Sequence, residues 1–306
     1  MNILIDGVGS PIWGTLKPFI EKIASKVVSI DITPNSCGLY LFHKGYIVPP
    51  YSKSDCFEYL LDILKKENIH VVLPIVHEGL LMWARHQSFL QKIGISVFLS
   101  PYPTIDICND KWKTFEFFKK YQINTPETSL KHAFDFLKPR FGRGGAGIKR
   151  VPLSKKVDME GYISQQFIKG QEYSVDALCD MNGKPLCIVP RERIQVTSGL
   201  STIGHVVNDF EIETQVERII SFLKFVGPIN VQCFKNDSGI YFTEINSRLA
   251  GGMSLSMHAT CNWFSIIHKI MHDEPVSPVE VNYGLVMLRY FSDIIISEKD
   301  LCKENE

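Results

Sequence analysis

Residues 229–252, INVQCFKNDSGIYFTEINSRLAGG, constrain the fold more than any other stretch, because two strands and the turn between them can be read from the residues. Asn236 opening the turn and Gly239 closing it suit a type I turn followed by a left-handed glycine, a three-residue loop with a bulge. That register puts Asn236 across from Ile240 and Gln232 across from Glu244. Opposed residues share a face of the sheet, and side chains alternate with period two. Asn246 therefore joins Gln232 and Glu244, while Tyr241, Thr243 and Ile245 point the other way.

Two amide oxygens and a carboxylate form a hard-oxygen set that suits Mg²⁺, an ion that keeps part of its water and shares its coordination with substrate phosphates. Arg248 follows at the same parity, where a guanidinium could hold phosphate oxygens through a bidentate fork. The same residues equally suit the solvated outer face of an ordinary hairpin.

The rest of the chain narrows the choice. Its 306 residues, 45% hydrophobic and 22% charged, have the composition of a globular protein of about two or three domains. Lys+Arg and Asp+Glu both number 33, so no net field recruits nucleic acid or an anionic membrane. The opening MNILIDGVGSPIW lacks a basic region ahead of a long apolar run, and nowhere do eighteen uncharged apolar residues follow one another, so a cytoplasmic location is expected. Eight cysteines, including Cys302, are scattered without a CxxC pair, which argues against a zinc knuckle or disulfide framework. His268 and His272 share a helical spacing, but no glutamate follows the first as in HExxH, and a solvated helix face is the expectation.

Strand-like runs at residues 2–6, 27–31, 70–76 and 95–100 alternate with amphipathic stretches, the clearest at residues 57–66, where Asp55 and Glu58 suggest a capping box. Alternation of this kind predicts a doubly wound parallel sheet. Gly7 and Gly9 after the first strand hint at a dinucleotide site, yet Ile12 stands where the third glycine belongs, so a tight turn is expected instead. Residues 108–121 read as a helix capped by Asp110, opening a new domain. Residues 136–151, FLKPRFGRGGAGIKRV, satisfy GxGxxG literally, but apolar-basic alternation follows rather than a helix, as in a strand-loop-strand lid over phosphates or a flexible turn. Residues 163–176 read as strand, turn at Lys169-Gly170, and strand.

In this order and spacing, the lysine and glycine lid, the hinge ending in Glu172 and the EIN-R hairpin resemble the ATP-grasp superfamily, most closely stand-alone relatives of the carbamoyl-phosphate synthase large chain and carboxylate-amine ligases. The resemblance implies an N-terminal doubly wound, Rossmann-like domain over residues 1–107 and an ATP-grasp domain over 108–306, with a lid at about 125–168 and a mixed or antiparallel metal-binding sheet at 169–306. It implies that Lys111 and Lys138 contact ATP phosphates and that the Gly144, Gly145 and Gly147 loop covers them. Gln165, Gln166, Phe167 and Ile168 would line the adenine, the latter two through backbone groups, and Glu172 would hold the ribose. Gln232, Glu244 and Asn246 would bind Mg²⁺, with Mn²⁺ as the alternative ion, and Arg248 would meet the transferred phosphate. Two departures stand out: Ser247 replaces the usual proline, and Gln165-Gln166 stand where acidic or basic hinge residues are common.

In the segment VPRERIQVTSGLSTIG, Arg191 and Arg193 fall on one face if this is a strand, where paired guanidiniums can clamp a carboxylate. The resemblance, in which this region borders the acyl-phosphate site, implies Arg191, Arg193 and Ser198 as substrate residues, joined by the Gly251-Gly252 turn. Surface arginines on an edge strand are the alternative. The implied activity is amide formation from a small-molecule carboxylate and an amine through an acyl phosphate, releasing ADP and phosphate, with a homodimer compatible with the sequence. A small-molecule kinase and a non-catalytic nucleotide sensor are the other readings.

Overall fold

The computed structural model describes residues 1–142 and 144–301, so Cys302 and the lid's Arg143 lie outside the described residues. The chain divides into two compact units, residues 1–99 with 262–276 and 290–306, and residues 100–261 with 277–289.

The first unit is built on five parallel strands, β1 (Asn2–Asp6), β2 (Lys26–Asp31), β3 (Lys44–Ile47), β4 (Val71–Leu73) and β5 (Ser96–Val97), in the order β3-β2-β1-β4-β5. The doubly wound expectation holds, with β3 an addition that the sequence pattern did not reveal. Helices α1 (Ile12–Ile20), α2 (Cys56–Lys66) and α3 (His77–Lys92) alternate with the strands. Ile3, Leu4, Ile5, Val27, Val28, Val71 and Val72 are fully buried, as are Trp13, Leu60 and Trp83 from the helices. Gly7 has φ +60° and its carbonyl accepts from Ser10 N, which makes the expected tight turn. Asp31 closes that turn by accepting from Gly9 N at 2.8 Å. The capping box at α2 is not formed: Asp55 has φ −90° and ψ 1° and makes no side-chain cap bond, since only an extended N-cap aims its oxygen at the helix amides.

The helix Trp263–Met271 belongs to this first unit, because Asn262 Nδ2 donates to Phe19 O at 2.8 Å beside the C-terminal end of α1. The sequence boundary at 107/108 had assigned it to the second domain. His268 and His272 stack with ring centroids 4.2 Å apart. No cluster of three or more His, Cys, Asp or Glu that could hold a metal occurs among the described residues.

The second unit begins with α4 (Tyr102–Cys108), which the sequence pattern did not reveal, and α5 (Lys111–Lys120), the expected helix. Asp110 is extended and caps α5, accepting from Trp112 N at 2.9 Å. A four-stranded sheet in the order β6-β9-β7-β8 follows, from β6 (Thr128–Ser129), β7 (Phe136–Pro139), β8 (Lys149–Arg150) and β9 (Tyr162–Gln165). β7 and β8 pair antiparallel around the glycine loop, the strand-loop-strand arrangement expected there.

The largest sheet contains β10 (Gln171–Cys179), β11 (Pro185–Thr197), β12 (Leu200–Val206), β13 (Gly227–Asn236), β14 (Gly239–Asn246) and β15 (Val286–Leu288) in the order β14-β13-β10-β11-β12-β15, every pair antiparallel. One of its faces is apolar: Val175, Ala177, Ile229, Val231, Cys233, Phe242 and Ile245 form a core with Phe117 and Phe118 of α5. Helix α6 (Phe210–Ser221), capped by Asp209, adds Ile212, Val216, Ile219 and Ile220, the i, i+4, i+7, i+8 stripe of an amphipathic helix. The other face is polar.

Candidate nucleotide and metal site

The polar face follows from period-two alternation on neighbouring strands. Direct pairing links Glu244 to Gln232, Gln232 to Ser174 and Ser174 to Arg191, while Asn246 pairs with Asn230 and Asn230 with Asp176. Glu244 and Gln232 are opposed as expected, but by a different route. Asn236 faces Gly239 rather than Ile240, because the turn encloses two residues, and a bulge between Gln232 and Cys233 restores the register with Thr243 as the extra residue. Thr243 Oγ1 donates to Gln232 O at 3.3 Å within that bulge. The bulge also turns Phe242 into the core while Glu244 and Asn246 keep to the polar side.

Three separate elements bring charge to Glu244. Lys111 opens α5, Lys138 lies on β7, and Arg248 follows β14. Burial alone would raise the Glu244 carboxyl, yet Lys111, Lys138 and Arg248, with a hydrogen bond from Asn246, hold it below the ordinary carboxylate range. Lys138 is itself 7% exposed. Burial lowers its ammonium to about 8, with Lys111 pushing the same way and Glu244 opposing. Arg248 Nη2 donates to Asn246 Oδ1 at 3.2 Å and Nη1 to Leu249 O at 3.0 Å.

A bidentate ion pair fixes the two lysines. Arg140, just past β7, donates through Nε and Nη2 to the Asp110 carboxylate at 2.8 and 2.6 Å, and its carbonyl accepts from Lys111 N at 3.1 Å. The end of β7 is thereby fastened to the start of α5. Lys111 Nζ reaches Gly142 O at 2.9 Å, which ties the glycine loop to the same point. Gly142, Gly144, Gly145 and Gly147 all have positive φ, a conformation that side chains with a Cβ rarely adopt. Across the loop, a Cβ on Gly199 would come within 2.5 Å of Gly144 O, so the turn carrying exposed Ser198 closes onto it.

The remaining expected residues are positioned as follows. Glu172 on β10 accepts from Arg193 Nη1 at 2.7 Å. Its carboxyl is raised, first by burial and then by Glu244, with Arg193 opposing. Gln165 is buried and its Nε2 donates to Thr128 Oγ1 at 2.8 Å, while Gln166 Oε1 accepts from Glu127 N at 3.4 Å, so both hinge glutamines stitch β9 to β6. Phe167 is half exposed beneath the Arg150 guanidinium, 4.2 Å from its ring centroid, and Ile168 is buried. Ser247, in place of proline, uses its hydroxyl: it lies 2.7 Å from Ser100 Oγ in a buried pair.

The expected two-arginine clamp is not formed. Arg191 Nε donates to Asp176 Oδ2 at 2.7 Å, whereas Arg193 divides its donors between Glu172 and the Gly199 carbonyl, 2.9 Å away. Residues on one strand face are two positions apart, far enough for each guanidinium to find its own carboxylate on β10. Asp176 and Asn230, hydrogen-bonded at 2.7 Å, belong to this face and were missed in the sequence. Extending the parity of Glu172 and Gln232 along their strands would have found both.

Gln232, Glu244 and Asn246 supply hard oxygens from adjacent positions, and Lys111 and Lys138 already balance the anion that a divalent ion would meet. This donor set fits Mg²⁺ sharing phosphate oxygens better than a metal held by protein alone.

A model of the ATP-grasp domain matches residues 108–252, and one of the PylC-like N-terminal domain matches residues 3–98. The chain thus carries an ATP-grasp domain behind a PylC-like N-terminal domain. It is 26% identical over 206 residues to the carbamoyl phosphate synthase large chain of a Thermoanaerobacter species, covering 56% of this chain and 19% of that one. The match therefore spans about a fifth of that relative's length. Among solved structures, the biotin carboxylase domain of Hydrogenobacter thermophilus 2-oxoglutarate carboxylase, described as a dimer with MgADP, ADP and bicarbonate, superposes with TM-score 0.71 at 13% identity over 93% of this chain and 73% of that one. The L-amino acid ligase of Bacillus licheniformis superposes with TM-score 0.66 at 17% identity over 90% and 75%. These two share the fold. No helix among the described residues is long and apolar enough to cross a membrane.

Proposed function

We propose that this ATP-grasp protein is an ADP-forming ligase that joins a small-molecule carboxylate to an amine through an acyl phosphate. The observation that carries the reading is the convergence of Lys111, Lys138 and Arg248 on Glu244 from a helix, a lid strand and a hairpin. A polar outer face needs no such gathering of three cations around one part-buried anion, whereas transfer of a phosphoryl group does.

Lys111 and Lys138 would neutralise ATP phosphates, and the Gly144, Gly145 and Gly147 loop would cover them with backbone amides. Glu172 would hold the ribose, and the strand through Gln165, Gln166, Phe167 and Ile168 would flank the adenine. Gln232, Glu244 and Asn246 would hold Mg²⁺, or Mn²⁺, which when bound supplies charge neutralisation between the phosphates. Arg248 would steady the transferring phosphoryl group, and Arg191, Arg193 and Ser198 would border the acceptor. In domain terms, residues 125–168 would act as lid and 169–261 as metal-binding platform. Nothing in this scheme requires nucleic acid or a membrane. A homodimer is compatible with it, as the 2-oxoglutarate carboxylase domain is described as a dimer.

Carboxylate activation is favoured over simple phosphorylation because the amino acid ligase of the same fold forms such bonds by name. The test is a screen of amino acids and other carboxylic acids, singly and in pairs, for ADP release. Dependence on an acid-amine pair is expected. Release with one acceptor and accumulation of a stable phosphate ester would replace the ligase with a kinase, and release with none would leave a nucleotide sensor.

A further inference from the structure

Arg191 is 1% exposed, among the largest fully buried side chains of the protein. Its one anionic partner among the described residues, Asp176, is already crowded: Asn230 donates to Oδ1 at 2.7 Å, and the Ser256 hydroxyl joins Arg191 Nε on Oδ2 at 2.6 Å. This network holds the guanidinium in one orientation. Arg191 Nη1 is left buried, with no hydrogen-bond partner among the described residues.

A second guanidinium shares the place. Arg289, immediately after β15, donates through Nη2 to Gly251 O at 2.7 Å, while its Nε and Nη1 are buried with no partner among the described residues. Burial lowers the Arg289 guanidinium from its ordinary range, and the positive charge of Arg191 lowers it further. The turn that follows the hairpin completes the site: a Cβ on Gly252 would lie 2.4 Å from Arg191 Nη1, so only glycine lets the guanidinium lie against this backbone.

Buried donors without partners are uncommon in folded proteins, and here they belong to two like charges side by side. Two cations against the single carboxylate of Asp176 leave one positive charge uncompensated. A monoanion with two oxygens balances that charge and matches the open donors, whereas a phosphate dianion would overcompensate it. From Glu244 the pairing runs through Gln232 and Ser174 to Arg191, three strand spacings or about 14 Å along the sheet. That backbone separation is the ground for assigning the anion to a group other than the one that meets the transferring phosphate.

We propose that Arg191 and Arg289 form a subsite for a second, non-reacting carboxylate, so that one substrate is an amino acid or a dicarboxylic acid, with Asp176 as the positioning residue for Arg191. This rests on the ligase reading for its biological meaning but not for its test. The full chain with Mg-ADP is titrated with succinate, glutarate, glycine, L-alanine and L-glutamate, and with the corresponding amides, following the melting temperature and then titration calorimetry. At least one free acid is expected to bind and its amide to bind about tenfold more weakly or not at all. Arg289→Met is expected to weaken the acid by about tenfold or more while the Mg-ADP shift stays at the wild-type value, and Arg289→Lys to restore part of the loss. Arg289→Lys also covers the case in which the methionine variant fails to fold, since it keeps the charge but lacks the fork.

Equal binding of acid and amide, acid binding unchanged in both Arg289 variants, or no binding by any of these acids at tens of millimolar would overturn the subsite. Because binding is read without turnover, carboxylate selectivity that persists where no acid-amine pair releases ADP would count against the ligase alone.

Discussion

The five-stranded and six-stranded sheets bury their residues by opposite rules. Every residue of β4 and all but the first of β1 are buried, as a parallel sheet covered on both faces requires. In β13 and β14 the kind of residue, more than its burial, differs between faces: Val231, Cys233 and Ile245 pack in the core, while part-exposed Gln232 and Glu244 and buried Asn246 lie on the other side. A strand with two apolar faces can specify stability and little else. A strand with one apolar face has a second free to carry charge, and the candidate chemistry of this chain lies on such a face.

The largest effect expected from this contrast is at Glu244. Glu244→Gln keeps the shape but leaves Lys111, Lys138 and Arg248 without their anion, and turnover with Mg-ATP should fall by about a thousandfold, roughly 4 kcal/mol. A folded variant that releases ADP at a near-normal rate would break the contrast. In the parallel sheet the expectation reverses. Ile5→Ala removes a fully buried side chain and should cost about 3 kcal/mol in denaturant unfolding, with Mg-ATP affinity of the folded protein unchanged.

A smaller effect concerns protons. Because burial lowers Lys138 to about 8, it is charged below that pH and increasingly neutral above it, so a phosphate binding at pH 8.5 must draw a proton onto it. Calorimetry of ADP binding in buffers of different ionisation heat should show uptake of a fraction of a proton at pH 8.5 and little at pH 6.5. Affinity should weaken as pH rises through 8. Proton uptake that is identical in Lys138→Met would assign the effect elsewhere. The smallest change expected is Ser247→Ala, which strips one hydrogen bond from the buried pair with Ser100 and should cost about 1 kcal/mol. No loss of stability would show that the hydroxyl is merely tolerated in place of proline.

The same contrast explains what could be read from the residues. The β13–β14 hairpin was legible because Asn236 and Gly239 mark its turn and the polar residues recur at period two. Its register was right at Gln232 and Glu244 for a reason the sequence did not show: the turn is one residue shorter than its residues suggested, and the Thr243 bulge, which no glycine marks, makes up the difference. Lys111 and Lys138 emerged from resemblance, but the Asp110–Arg140 pair that holds them together joins residues 30 apart, and no local pattern connects them. The clamp expected of Arg191 and Arg193 failed for a related reason. Spacing shows that two side chains share a face, not which carboxylate on the next strand each will reach. The edge strand β3 was missed because Lys44–Ile47 holds only four residues, with a glycine among them.

Amide exchange at the loop glycines offers a further check on the polar face. A Cβ at Gly142 or Gly144 would meet nothing within 4 Å, so amide exchange at Gly142, Gly144, Gly145 and Gly147 should slow when Mg-ATP binds, and unchanged exchange with nucleotide demonstrably bound would count against a phosphate cover.

The central claim is that a carboxylate on this face is activated as an acyl phosphate, and the most direct test follows one oxygen atom. A free carboxylate is a poor electrophile, and phosphorylation turns one of its oxygens into part of a leaving group that an amine can displace. With the acid found by the pairwise screen carrying ¹⁸O in its carboxylate, the account predicts one labelled oxygen in inorganic phosphate for each amide formed, read by mass spectrometry of the phosphate. Label that stays wholly in the organic product, with a stable phosphate ester accumulating, would contradict it.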